Sequence, residues 1–280
     1  AGTGSNARGL SSWSEIRGME NSKVARSIIE DNNSNIFCSS DIGVFKLIKD
    51  AGRGSFFWEQ TPIFGPQSTE SFAMLYDDTR DRIIVSNELG IFETNDLGDE
   101  WNFSNEFPEQ RPIWQFYKRN DTIWAITDFI VWRRKFGEIE FKKIAVFDEV
   151  NKMRNIVIFD NRIYLTTDMG LLVSDQSADI ENDLNIGFSL SFSEININSY
   201  VSPPTALSQF ANLLFIGTED RLYVSSGSGQ ISLHSEIKNG IIPTIFVNEE
   251  EQKIGYRFTT DTRRLAKFVT FDEKILLTIK

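Results

Sequence analysis

The 280-residue chain has one cysteine and one histidine. With Cys38 alone, no intrachain disulfide can form. Cys38 lies in the apolar run Ile36-Phe37-Cys38 and reads as a small buried hydrophobe rather than a nucleophile. His234 has no cysteine or second histidine with which to build a zinc set, so it reads as a strand or loop residue, and neither a metal nor another cofactor is expected. Long basic runs are missing too. The longest, Arg133-Arg134-Lys135, reads as a solvated strand edge. A formal charge of −11 repels nucleic acid and anionic membrane surfaces. No stretch approaches the roughly 18 apolar residues of a membrane span, and no segment carries a helical period with caps. The opening Ala1-Gly2-Thr3-Gly4-Ser5-Asn6 lacks the charged and apolar regions of a signal peptide. Its composition predicts a flexible leader over 1–12, followed by a single domain over 13–280.

What is present is a repeat. Ile36-Phe37-Cys38-Ser39-Ser40-Asp41-Ile42-Gly43-Val44-Phe45 returns as Ile83-Ile84-Val85-Ser86-Asn87-Glu88-Leu89-Gly90-Ile91-Phe92. Further copies run from Ile123 to Trp132, Ile163 to Leu172 and Leu214 to Tyr223, with a weaker sixth from Ile254 to Leu265. The acidic positions 41, 88, 128, 168, 219 and 261 are spaced by 47, 40, 40, 51 and 42 residues. A polar turn between two β-rich runs at that period fits one four-stranded propeller blade per repeat. The Ser/Thr-Asp/Glu-x-Gly centre is the turn: short polar side chains bond nearby backbone, and glycine accepts positive φ. Each copy therefore reads as second strand, turn, third strand.

Apolar runs ahead of the copies supply inner strands, from Val24 to Ile29 in the first repeat to Ile245 to Val247 in the last. Outer strands follow at Trp58 to Gln60, Trp101 to Phe103, Phe141 to Val146 and Phe188 to Phe192. The expected fold is an all-β, six-bladed propeller of four-stranded antiparallel blades, or a seven-bladed one if both Trp13-Ser14-Glu15-Ile16 and Lys274 to Lys280 are blade strands. One of these end segments is expected to close the ring.

Between the third and fourth strands of the second repeat stands Thr94-Asn95-Asp96-Leu97-Gly98-Asp99-Glu100-Trp101. It matches the pattern Ser/Thr-x-Asp-x-Gly-x-x-Trp. On this stretch and the repeat spacing, the sequence over about 24 to 270 resembles the BNR/Asp-box propellers, which include sialidases, sortilin-like domains and photosystem-assembly-type propellers. The resemblance implies that Thr94, Asp96, Gly98 and Trp101 staple a hairpin and do no chemistry. Together with the Asn/Ser/Phe/Ile-rich composition, it points to an exported bacterial protein, periplasmic, surface-bound or secreted, with a monomeric propeller.

A four-stranded meander puts the second-to-third-strand turns and the blade-joining loops on one face. Asp41, Glu88, Asp128, Asp168, Glu219 and Asp261 are thus expected to ring the mouth of a central channel, as an acidic funnel for a cation or basic segment or as ordinary turn residues. Joining loops add Phe64-Gly65-Pro66, Phe107 to Pro112, Tyr200 to Pro204 and Asn239 to Pro243. Sialidases, as the family is known, need an arginine triad whose first member sits in an Arg-Ile-Pro-like motif before the first Asp box. Arg17-Gly18-Met19, Arg26-Ser27-Ile28 and Arg111-Pro112 do not supply it. HExxH, GxSxG and P-loop patterns are absent as well. The leading expectation is a non-catalytic binding or scaffold propeller holding a protein or glycan partner on the loop face. The alternatives are a glycoside hydrolase or lyase using channel-mouth carboxylates, and a sensor-type propeller, suggested by Ile28-Ile29-Glu30-Asp31-Asn32 before Ile36-Phe37.

Overall fold

The computed structural model describes residues 2–3, 12–13, 17–22, 24–52, 54–62, 70–175, 179–182, 186–192, 204, 206–210, 212–218, 221–226, 231–236, 241–248, 253–260, 265–271 and 274–279. Every regular element among them is a strand, and no helix is long and apolar enough to cross a membrane. The chain divides into two compact units, Ala1–Pro112 and Ile113–Lys280.

The first unit opens with β1 (Gly2–Thr3) and β2 (Ser12–Trp13), which pair with each other. Its first blade is the meander β3 (Ala25–Glu30), β4 (Ile36–Ser40), β5 (Gly43–Lys49), β6 (Phe56–Gln60). Its second is β7 (Met74–Asp77), β8 (Arg82–Asn87), β9 (Gly90–Thr94), β10 (Asn102–Ser104). The second unit continues the pattern with β11 (Gln115–Arg119), β12 (Thr122–Ile126), β13 (Ile130–Lys135), β14 (Lys142–Val146) as blade three. Blade four is β15 (Met153–Phe159), β16 (Arg162–Thr167), β17 (Gly170–Ser174), β18 (Phe188–Phe192). Blade five is β19 (Ala206–Phe210), β20 (Leu213–Gly217), β21 (Arg221–Ser225), β22 (Ile231–Glu236), with His234 in its outer strand.

The protein is therefore an all-β propeller of five four-stranded antiparallel blades, which corrects the expectation of six blades and its seven-blade alternative. The last sheet contains β23 (Ile241–Asn248), β24 (Lys253–Thr260), β25 (Leu265–Phe271) and β26 (Lys274–Ile279), but in the order β24-β23-β26-β25. The strands expected to flank a turn at Asp261 are not neighbours, and β23 meets β26 only at Phe246 opposite Lys274. A physical reason is visible in the spacing. Four residues, 261–264, separate β24 from β25, against two at 41–42, 88–89 and 168–169 and three at 127–129, so the tight connection of the earlier copies is not repeated. At the other end, Ser12–Trp13 pairs with β1 rather than a blade, and residues 14–16 lie outside the described residues. Arg17 forms a parallel bridge to Phe57 on the outer strand β6, and its carbonyl accepts the Trp58 N–H at 2.7 Å.

Alternating strand residues fill the spaces between blades. In the first unit Phe37, Val44, Met74, Ile83, Val85 and Phe92 form one layer between the two blades. In the second, Trp124, Ile126, Met153, Ile156 and Leu165 are among the residues packed between blades three and four, and Val157, Leu171, Leu207 and Ile216 among those between four and five. Cys38 belongs to the buried set, as its apolar run implied. The Arg133-Arg134 expectation is corrected: both side chains are buried, at 2% and 3% exposure. Arg133 donates to the Ile180 carbonyl at 3.1 Å and lies over the Trp124 ring, while Arg134 lies over Phe141. The insertion carrying Ile180 follows blade four's third strand and covers a strand that its charges alone would place in solvent.

Inner strands expose one unpaired edge, and side chains cover it in the second unit. The Gln115 side chain accepts the Ile156 N–H at 2.7 Å, and the Tyr117 hydroxyl donates to the Ile158 carbonyl at 3.3 Å. Both bonds cross from β11 to β15.

Candidate functional site

The turns between the second and third strands of blades one to four share one construction. In blade one, Ser40 Oγ donates to the Gly43 carbonyl at 2.9 Å and accepts the Ile42 N–H at 3.1 Å. In blade four, Thr167 Oγ1 does the same with Gly170 and Met169 at 2.9 and 3.1 Å. Asn87 replaces the hydroxyl in blade two, its Oδ1 accepting the Leu89 N–H at 2.7 Å. In blade three Thr127 N–H donates to the Ile130 carbonyl at 3.1 Å. These bonds close the turn tightly and leave its third residue at the tip. That residue is large and apolar in all four blades: Ile42, Leu89, Phe129 and Met169. Leu89 and Met169 are 39% and 40% exposed, and Ile42 and Phe129 are half-buried. The four tips recur at one repeat position and so place apolar side chains along one edge of the blades.

In blades one, three and four the acidic residue just before the tip bonds the segment that enters the blade. Asp41 Oδ1 accepts from Ser22 Oγ at 2.7 Å and from the Val24 N–H at 3.3 Å. Glu88 is exposed and has no hydrogen bond or ion pair among the described residues. Asp128 Oδ1 accepts the Trp114 indole N–H at 2.7 Å. Asp168 accepts the N–H groups of Asn151 and Lys152 at 3.3 and 3.2 Å and the Asn151 side chain at 3.1 Å. Burial acts to raise the Asp168 carboxyl, but the Asn151 amide and the two backbone donors outweigh it and hold it below the usual carboxylate range. Asp41 and Glu88 belong to the first unit, Asp128 and Asp168 to the second. Glu219 and Asp261 lie outside the described residues, as do 64–66, 200–203 and 239–240 of the joining loops.

Sequence reasoning missed the groups that join one turn to the next. In the first unit Ser71 N–H donates to the Ser40 carbonyl at 2.9 Å, and Phe72 N–H to the Ser86 carbonyl at 2.8 Å. Arg26 pairs with Glu70 beside them and lies over Phe72. In the second unit Met153 N–H donates to the Asp128 carbonyl at 2.7 Å while Lys152 is held by Asp168. The Lys152 ammonium sits 4.4 Å from the Trp114 ring centroid. Aligning the repeats shows the apolar tip position, but nothing in the sequence pairs Trp114 with Lys152.

The opposite edge of the blades is built for cohesion. Thr94 Oγ1 donates to Asp96 Oδ1 at 2.5 Å and accepts the Gly98 N–H at 3.1 Å, while Asp96 Oδ1 accepts the Glu100 N–H at 3.0 Å. The Thr94 hydroxyl, followed by the Glu100 N–H, holds the exposed Asp96 carboxyl below its ordinary range. Trp101 Nε1 reaches the first blade, donating to Thr61 Oγ1 at 3.3 Å. Gly98 has φ 90°, and a Cβ there would stand 2.9 Å from Thr61 Cγ2. Blade two also carries a buried ion cluster in which Arg82 meets Asp77 at 3.2 Å, Glu106 at 2.7 Å, and Glu93. Burial acts to lower the Arg82 guanidinium, and Glu106, Glu93 and Asp77 together raise it.

No family model matches the sequence, and no curated protein does. Solved structures do match in fold. The chain is similar to the extracellular domain of BT4673 from B. thetaiotaomicron, assigned as a one component system, at 16% identity and a TM-score of 0.69 over 95% of this chain and 38% of that one. It thus spans well under half of that longer protein. It is similar to a catalytically inactive His-to-Ala form of virginiamycin B lyase from Staphylococcus aureus bound to quinupristin, at 10% identity and a TM-score of 0.64 over 95% of each chain. It is also similar to YCF48 bound to D1 peptide, at 16% identity and a TM-score of 0.53 over 76% of this chain and 67% of that one. At these identities the likeness establishes a β-propeller fold.

Proposed function

We propose that this chain is the recognition part of a sensor or scaffold protein, and that it binds a protein partner through the edge carrying the second-to-third-strand turns. The observation that carries this reading is the repeated pairing of a carboxylate with an apolar tip: Asp41 with Ile42, Glu88 with Leu89, Asp128 with Phe129 and Asp168 with Met169. By repeat position Glu219 and Asp261 are assigned to the same acidic set. Exposed apolar groups on hydrogen-bonded turns offer area for a partner at low ordering cost. The similar YCF48 has been seen with a peptide, and the BT4673 domain is extracellular; both support the reading of an exported binding propeller. We assign the repeats to the Asp-box kind on the Thr94, Asp96, Gly98 and Trp101 staple, whose bonds close a turn and tie blade two to blade one, leaving the opposite edge for recognition.

The test is a peptide display selection against the immobilised full chain, followed by titration of selected peptides. Met169→Ser is expected to weaken binding by about tenfold or more, as interface anchors do. Ile139→Ser, in the β13–β14 turn on the opposite edge and 75% exposed, is expected to leave it unchanged. The reverse pattern would remove the turn edge from the account.

A further inference from the structure

The turn-edge reading leaves the chemistry of the partner open, and the second unit narrows it. Three features converge on the segment 151–153, which enters β15. Its Met153 N–H is held by the Asp128 carbonyl, and the N–H groups of Asn151 and Lys152 are held by the Asp168 carboxylate. Trp114 stands beside it with its indole N–H on Asp128 Oδ1 at 2.7 Å. Across the face of that indole lies the Lys152 ammonium, 4.4 Å from the centroid. An alkylammonium thus already occupies an aromatic face whose polar edge is tied to a carboxylate. The apolar tips Phe129 and Met169 follow Asp128 and Asp168 directly in their turns.

Charge points the same way. The two turns, 127–130 and 167–170, and the joining segment 147–153 contain Asp128, Asp148, Glu149 and Asp168 against Lys152 alone. Four carboxylates against one ammonium in these segments favour a cationic partner, in keeping with the chain's net charge of −11. A neutral sugar would gain nothing from that field.

We infer that this part of the turn edge takes a cationic, apolar peptide segment. A lysine or arginine side chain meets the carboxylates of this segment beside the Lys152–Trp114 pair, while adjacent leucine-sized side chains lie on Phe129 and Met169. The inference rests on the turn-edge reading, and the two fail separately.

The experiment uses the full chain and three fluorescein-labelled synthetic nonapeptides, alternating leucine with lysine, leucine with glutamate, and serine with lysine. Anisotropy titrations are run at low and at physiological salt. The leucine–lysine peptide is expected to bind about tenfold tighter than either other peptide, and more weakly as salt rises. Asp168→Asn, which keeps an acceptor oxygen for the 151–152 backbone, and Met169→Ser are each expected to weaken it about tenfold, and Ile139→Ser to leave it unchanged. Thermal unfolding of each variant separates lost binding from lost fold. Equal binding of the leucine–glutamate peptide, no effect of Asp168→Asn, or no binding by any of the three overturns the cationic inference. If Met169→Ser still weakens whichever peptide binds, the turn edge stands without it. If Ile139→Ser weakens binding and Met169→Ser does not, the turn edge itself falls.

Discussion

Thr94 shows how much of a blade hangs on one hydroxyl. It is buried, donates to Asp96 and accepts from the Gly98 N–H, so its loss strands backbone donors in a tight turn. Thr94→Ala is expected to lower stability by about 1–3 kcal/mol in chemical denaturation, and Thr94→Ser to restore most of it. Gly98 tests the same turn through shape. At φ 90°, with Thr61 2.9 Å from the missing Cβ, Gly98→Ala must strain the backbone and push blade one's edge residue. A loss of about 1–3 kcal/mol is expected, with a matching shift in the denaturation midpoint. The residues of this turn were legible in the sequence because the pattern is local. The Trp101 to Thr61 bond was not, since those residues are 40 apart and only the folded blades bring them together.

At the scale of the strand and its turns, two kinds of electrostatics differ in weight. Asp168 is exposed and its carboxyl is held below the ordinary range by donors from the joining segment. Its lowered folded-state pKa means that the stabilisation is full above the unfolded value of about 3.9 and is lost as pH falls through the folded value. Wild type and Asp168→Asn should therefore differ by about 0.5 kcal/mol near neutrality, discounted for solvent, and converge in acid unfolding below about pH 4. Arg82 is different. It joins the end of β7 to the start of β8 and to β9, with Asp77 fully buried beneath it. Arg82→Ala leaves that carboxylate without its cation and is expected to cost about 3–5 kcal/mol in equilibrium unfolding. The strands themselves were readable from alternation and turn residues. The burial of Arg133 and Arg134 was not, because the cover comes from Ile180 and Phe141 and not from the strand's own pattern.

For the whole molecule, periodicity led to an expectation of six blades, or seven, where the structure has five, and the error lies in the last sheet. The first four copies join their second and third strands through two or three residues. In the sixth, four residues separate β24 from β25, and the strand order differs. Local similarity to a repeat cannot show which strands will pair when the connection changes length. The acidic positions were legible as a series, and the structure adds what they hold: Asp41, Asp128 and Asp168 each anchor the segment entering their own blade. An anchored edge with apolar tips is the basis for assigning recognition to it. Amide hydrogen exchange of the full chain, with and without a display-selected peptide, locates the binding edge most directly. The account expects slowed exchange at 127–130, 150–153 and 167–170, and slowing confined to 136–139 and 160–161 would contradict it.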